Sequence, residues 1–197
     1  MSHAIYNVEG LVLKSFNFGE ANKYYFIFTR EFGLIKASAQ SVRHLQSKLR
    51  YGLSDFSLAS ISLVRGREVW RLTGAESIPN QKHISVKAND KFLLVSRIFT
   101  LLIRLLQGEE KNELLFDNLR FGLDFLRNEN LDKKNLENFE CILALRILST
   151  LGYIGKLGDF DQFTKSPYFT MEILSAMSQL KTQAILEINK SLKETHL

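Results

Sequence analysis

The sequence predicts an α+β fold, with an N-terminal five-stranded OB-type β-barrel over residues 1–79 followed by an all-α helical domain over residues 80–197. Three observations lead there. Short runs rich in β-branched and aromatic residues recur five times in the first 78 residues, separated by turn-forming stretches. Pro79 marks a seam, and no strand pattern returns after it. Beyond it, apolar residues recur at helical spacing instead. Other five-stranded barrels fit the strand pattern as well; OB fits its scale best.

The strands follow in order. Val8 to Lys14 is the first, and a loop from Ser15 to Asn22, containing Gly19, leaves it. Lys23 to Thr29 is rich in aromatics and forms the second. Arg30-Glu31-Phe32-Gly33 is a turn, with Gly33 suited to positive φ. Leu34 to Gln40 is the third strand, Ser57 to Val64 the fourth, and Glu68 to Thr73 the fifth. Arg65-Gly66-Arg67 joins the last two as a hairpin turn.

Period-2 alternation sorts these side chains into faces. Ile35, Ala37 and Ala39 oppose Lys36, Ser38 and Gln40; Trp70 and Leu72 oppose Arg71; Leu11 and Leu13 oppose Val12 and Lys14. With the apolar sets inside, Lys14, Lys36 and Arg71 share an outer face. Tyr24, Phe26 and Phe28 share a face read as core, which leaves Tyr25 outward; Trp70 reads as core.

Four helices follow. Residues 90–107 form one, and 111–128 another, with Glu113, Asp117, Arg120, Asp124 and Arg127 opposite Leu115, Leu119, Gly122 and Leu126. A third runs from about Leu136 to Leu151, capped by Gly152. The last follows Pro167, with a core stripe of Ile173, Met177, Leu180 and Ala184.

Composition narrows the function. With 45% hydrophobic and 24% charged residues, the chain is expected to be globular. The single cysteine, Cys141, excludes an intrachain disulfide and a cysteine-rich zinc site, and its apolar neighbours place it in a helix core. The N-terminus lacks a basic start and an apolar run, so no secretory signal is expected. The most apolar window, Phe92 to Leu106, is broken by Ser96, Arg97, Thr100 and Arg104 on one helical face, as in a bundle helix. A cytoplasmic protein is expected.

Catalytic constellations are absent from the sequence pattern. His3, His44, His83 and His196 are scattered, and neither a phosphate-binding glycine loop nor a nucleophile elbow occurs. Asp159 and Asp161 form the only short carboxylate motif that could attract a divalent cation, and a solvated loop explains them better. The chain reads as a non-enzyme without a cofactor or metal.

The charge pattern says more. The net charge is +5, and residues 1–80 carry ten Lys/Arg against six Asp/Glu, whereas residues 81–197 carry sixteen against fifteen. No acidic residue lies between Glu31 and Asp55, a gap holding Lys36, Arg43, Lys48 and Arg50. A cationic segment on a small sheet suits a polyanion, most plausibly nucleic acid. The candidate DNA-binding residues are Lys14, Lys36, Arg43, Lys48, Arg50, Arg65, Arg67 and Arg71, with Tyr25 and Tyr51 as possible stacking partners. A mainly phosphate-directed contact, steep in salt and indifferent to sequence, is expected.

Several motifs, taken together, resemble one family. Glu9-Gly10-Leu11-Val12-Leu13-Lys14 is similar to the opening strand of the bacterial recombination mediator family RecO, and Gly19-Glu20-Ala21-Asn22-Lys23 to its first loop. Phe28 to Gly33, Ala39 to Arg43, Ser47 to Arg50, Leu53 to Leu58 and Arg65 to Thr73 continue the resemblance in order, and Phe139 to Tyr153 resembles part of the helical region. The resemblance implies an OB-fold and a helical domain, binding of single- and double-stranded DNA, and strand annealing. It also implies recruitment by the acidic, apolar C-terminal tail of single-stranded-DNA-binding protein, and work with RecR to load RecA. Lys14, Arg43, Lys48 and Arg50 match family motif positions, while Lys36 and Arg71 rest on the face argument. Gln40-Ser41 stands where the family usually has Lys-Gly, and Asp159 and Asp161 occupy the region where some members carry a four-cysteine zinc module. The chain is also shorter than is usual for the family, and a cytoplasmic, nucleoid-associated location is implied.

Two other functions fit features of the sequence. In an interaction adaptor, the helices hold an acidic peptide tail, with Arg97, Arg104, Lys133 and Lys134 as candidate partner-binding residues. A metal-dependent nuclease would use Asp159 and Asp161.

Overall fold

The computed structural model describes residues 4–78, 89–155 and 158–194. The chain divides into two compact units, Met1–His83 with Leu106–Glu113, and Ile84–Leu105 with Leu114–Leu197. Pro79, the expected seam, lies outside the described residues.

In the first unit, β1 (Ile5–Phe18), β2 (Asn22–Thr29), β3 (Gly33–Ala39), β4 (Leu58–Val64) and β5 (Trp70–Ser77) close in the order β1-β2-β3-β5-β4. The 14-residue β1 makes closure possible: Ile5 to Leu11 pair with β4, and Gly10 to Phe18 pair with β2. β3 and β5 run parallel, through Ala37 opposite Trp70 and Ser38 opposite Arg71. Five strands closed in this order make the barrel an OB-type one.

The interior is filled by Val8, Val12, Tyr25, Ile27, Ile35, Ala37, Ala39, Ile61, Leu63, Trp70 and Leu72, with Val42 and Leu53 from the β3–β4 connection. The β3 and β5 faces are as the alternation predicts. The β2 face is the reverse: Tyr25 is 2% exposed inside the barrel, while Tyr24 and Phe26 are half-buried on the outer side. Burial pushes the Tyr25 phenol up to about 12, keeping it neutral. Phe28 is buried, but it does not belong to the interior cluster.

A bulge explains β1. Val12 pairs with Ile27 and Lys14 with Phe26, so Leu13 is an extra residue between two successive rungs. Val12 therefore points inward, against expectation, and Lys14 still points outward. In a regular strand, with Leu13 on a rung of its own, these two positions would share a face.

Gly33 closes the β2–β3 turn at φ +69°, and a Cβ there would lie 2.1 Å from the Glu110 carbonyl oxygen. The 106–113 segment packs against the barrel at this point, and the Leu34 N–H donates to the Gly108 carbonyl at 3.2 Å. Ser41, where the resemblance expects glycine, adopts φ +53°. Its N–H donates to Asn22 Oδ1 at 2.8 Å.

In the second unit, α2 (Asn89–Leu105), α3 (Glu113–Asn128), α4 (Lys133–Thr150) and α6 (Met171–Glu194) are the main helices, named so that α1 (Leu49–Gly52) and α5 (Asp161–Thr164) are the short ones. Eleven of the 18 residues of α4 are buried, so it is the helix around which this unit is built. Asp132 caps its start by accepting from the Asn135 N–H at 2.8 Å. At its end Gly152, at φ +79°, donates to the Ser149 carbonyl and Tyr153 to that of Leu148, a Schellman ending. Arg146 is 1% exposed within α4. Its guanidinium donates to the carbonyls of Phe163, Pro167 and Tyr168 at 2.6, 2.8 and 3.0 Å and lies over the Phe169 ring. Burial pulls its pKa down to about 10. No helix among the described residues is long and apolar enough to cross a membrane.

Candidate nucleic-acid interface

The outer side of β1, β2 and β3 gathers cations and rings. Rung by rung, Lys14 pairs with Phe26 and Phe26 with Lys36; Phe16 pairs with Tyr24 and Tyr24 with Ser38; Ser38 then meets Arg71 across the parallel rung. The three cations that the alternation assigned to one side are thus set on one continuous face, and all are exposed. Lys14 Nζ lies 5.0 Å from the Phe16 ring centre, and Lys36 Nζ lies 4.9 Å from that of Tyr24.

A second group surrounds the β4–β5 connection. Arg65, Arg67 and Arg71, with Ser38, Gly66, Glu68 and Val69, line a recess of about 600 Å³. Arg71 belongs to both groups and joins them. Arg65 is the exception among these cations. Its Nη1 lies 2.5 Å from Glu109 Oε2, its guanidinium lies 4.6 Å from the Trp70 ring centre, and Glu109 Oε1 accepts from Trp70 Nε1 at 2.9 Å. Glu109 is thus a carboxylate placed on an arginine 44 residues away in sequence.

The basic loop is tied to the β1–β2 turn. The Arg43 N–H donates to the Ala21 carbonyl, and Arg43 Nη1 to that of Gly19 at 3.1 Å. Phe18 pairs with Asn22 at the same turn, so Arg43 stands at the Phe18 end of the sheet face. Lys48 and Arg50 are exposed at α1, which packs on β5 through Gly52 and Ala75. Tyr51, 74% exposed, is beside them. Among the described residues, none of Lys14, Lys36, Arg43, Lys48, Arg50, Arg67 and Arg71 meets a carboxylate at ion-pair distance.

These residues all fall within one matched segment: residues 1–80 match the family described as Recombination protein O N terminal. Over this domain the chain matches the RecO family. Curated relatives agree. It is 30% identical over 157 residues to the "DNA repair protein RecO" of Rubrobacter xylanophilus, covering 78% of this chain and 60% of that one. It is 27% identical over 146 residues to that of Caldanaerobacter subterraneus subsp. tengcongensis, covering 74% and 58%, and 29% identical over 156 residues to that of Desulfitobacterium hafniense, covering 78% and 54%. The chain spans between about half and three fifths of the length of these RecO relatives.

The candidate partner-binding cations lie beyond the matched RecO segment and are not all brought together. Arg97 and Lys133 line a recess of about 180 Å³; Arg104 and Lys134 are exposed outside it. Arg97 is held by Glu140, with Nε and Nη2 donating to its two oxygens at 2.7 and 2.6 Å, which keeps the guanidinium pKa above its ordinary value. Burial pushes the Cys141 thiol up, away from thiolate reactivity. Asp159 and Asp161 are exposed, and among the described residues no three His, Cys, Asp or Glu side chains gather as a metal site would need.

Phe16, Phe18, Tyr24 and Phe26 are the residues that sequence reasoning missed on this face. Phe16 and Phe18 were placed in a loop, yet their i, i+2 spacing after Lys14 was a signal that the strand continues.

Proposed function

We propose that this chain is a non-catalytic DNA-binding mediator of repair and recombination. It holds and anneals single-stranded DNA and helps load recombinase onto protein-coated single strands. One observation carries this reading: Lys14, Lys36 and Arg71 stand on one open barrel face with no carboxylate to neutralise them. Phosphates would complete that face, releasing counterions, and two strands whose charge is so compensated can approach and pair without any bond being made. Arg43, Lys48, Arg50, Arg65 and Arg67 extend the same positive surface. Double-stranded DNA would meet the same cations. RecR, single-stranded-DNA-binding protein and, indirectly, RecA are the partners that the RecO match suggests.

The test is Lys14→Ala/Lys36→Ala/Arg71→Ala in the full chain. DNA affinity at 0.1 M salt should fall about a hundredfold, and the slope of log Kd against log salt should shrink by about two to three. Annealing of complementary oligonucleotides should slow in parallel. Unchanged affinity and slope in a folded variant would remove these residues from the interface.

A groove in the helical unit supports the second reading, a peptide-tail adaptor. It measures about 480 Å³ and has an apolar floor of Ile98, Leu101, Ala144, Ile185 and Ile188. Two ion pairs flank it, Arg97 with Glu140 and Lys181 with Glu137. An acidic, apolar tail could take its cations only by displacing those carboxylates. Titrating such a peptide into the full chain and into Arg97→Ala/Lys181→Ala tests it: equal binding by both would count against this groove.

A further inference from the structure

The aromatic rings on the cationic face are in an unusual place, since β-barrels normally keep such rings inside. Phe16 is 42% exposed and Phe18 is 54% exposed, on a strand edge that faces solvent. Phe16 meets Phe26 at 5.8 Å between ring centres and Phe18 meets Tyr24 at 4.9 Å, so the four form one patch across β1 and β2. The patch is interleaved with amines, Lys14 over Phe16 and Lys36 over Tyr24. A contrasting aromatic group, Tyr6, Phe32 and Trp70, packs its rings against one another, with Trp70 only 3% exposed.

We infer that Phe16, Phe18, Tyr24 and Phe26 form a base-stacking platform that makes the barrel discriminate unpaired from paired DNA. The inference rests on the DNA-binding reading above and deepens it. A lysine amine that moves onto a phosphate leaves the ring it covered, and the freed ring face then suits a base. The two contacts therefore reinforce each other on a flexible single strand. In a duplex each base face is already covered by its neighbours, so only the phosphates can be engaged. Cations alone give affinity for both forms; the rings supply the preference.

Three ligands of equal length separate these contributions: oligo-dT, an abasic strand with the same number of phosphates, and a duplex. The full chain should bind oligo-dT about tenfold more tightly than the abasic strand. Phe16→Leu/Phe18→Leu, which keeps apolar packing on the sheet but removes the flat faces, should bind oligo-dT and the abasic strand alike. It should leave duplex affinity within about twofold and the salt slope unchanged. Equal binding of all three ligands by the unsubstituted chain would overturn the stacking inference and leave the cationic reading standing. Equal weakening on oligo-dT and duplex in a folded variant would also overturn it, since rings that served both ligands alike would not be stacking on unpaired bases. Failure of the unsubstituted chain to bind any DNA would overturn both.

Discussion

In the helical unit Arg97 lies along the Glu140 carboxylate, Lys181 meets Glu137, and Arg146 is sealed among three carbonyls. On the barrel, Lys14, Lys36 and Arg71 have rings and a serine beside them and no carboxylate. The residue types are the same in both regions, and the net charge of each half differs by only a few units. What separates these two sets of cations is whether the fold has already supplied the counter-charge. A paired cation is part of the architecture; an uncompensated one is available to a ligand. Charge counts along a sequence cannot make that distinction, and pairing geometry can.

The sharpest way to break the comparison is at Arg146. Arg146→Met should destabilise the helical unit by about 3 kcal/mol, because one buried and two partly buried carbonyls lose their donors at once. Urea denaturation followed by far-UV circular dichroism measures this, and a loss below about 1 kcal/mol would show that Arg146 is no structural pin. Glu109 offers a middle-sized effect from the opposite direction. It is the carboxylate that commits Arg65 on the barrel, and Glu109→Gln keeps an oxygen for Trp70 Nε1 while freeing the guanidinium. DNA affinity should rise about threefold at 0.1 M salt, with a slightly steeper salt slope. A fall in affinity would mean that Arg65 contributes through its present position. The smallest effect is expected from Arg97→Ala/Lys181→Ala: DNA affinity within about twofold of the unsubstituted chain, and a stability change under about 1 kcal/mol. A large loss of DNA binding there would erase the contrast between the two units.

Much of this was legible in the sequence where polar and apolar residues alternate. Lys36 between Ile35 and Ala37, and Arg71 between Trp70 and Leu72, fix the phase of β3 and β5 without ambiguity. In β2 the run Tyr24-Tyr25-Phe26-Ile27-Phe28 offers apolar residues to both faces, so alternation had nothing to grip, and the inner and outer rings were exchanged. The Glu109–Arg65 pair escaped for another reason, since local patterns carry no information about a contact across 44 positions. Arg146 escaped because it sits within an apolar helix whose burial extends to all sides, where a charge is indistinguishable from a surface residue until its carbonyl partners are placed. Ser41 carries the left-handed backbone that the glycine of the resemblance would adopt with less strain, with the Asn22 side chain holding its N–H.

The extra residue in β1 has a consequence for how this surface tolerates change. Upstream of Leu13 even-numbered side chains fill the barrel, and downstream of it they meet solvent, so one inserted position works as a phase shifter for the whole edge. Deleting Leu13 would remove a buried leucine and the local bend of the bulge, but Val12 and Lys14 would become neighbours on opposite faces, so lysine and phenylalanines would stay outward. A lineage could lose that one codon and keep its outward amines and rings, giving up the packing of one leucine and the kink beneath them.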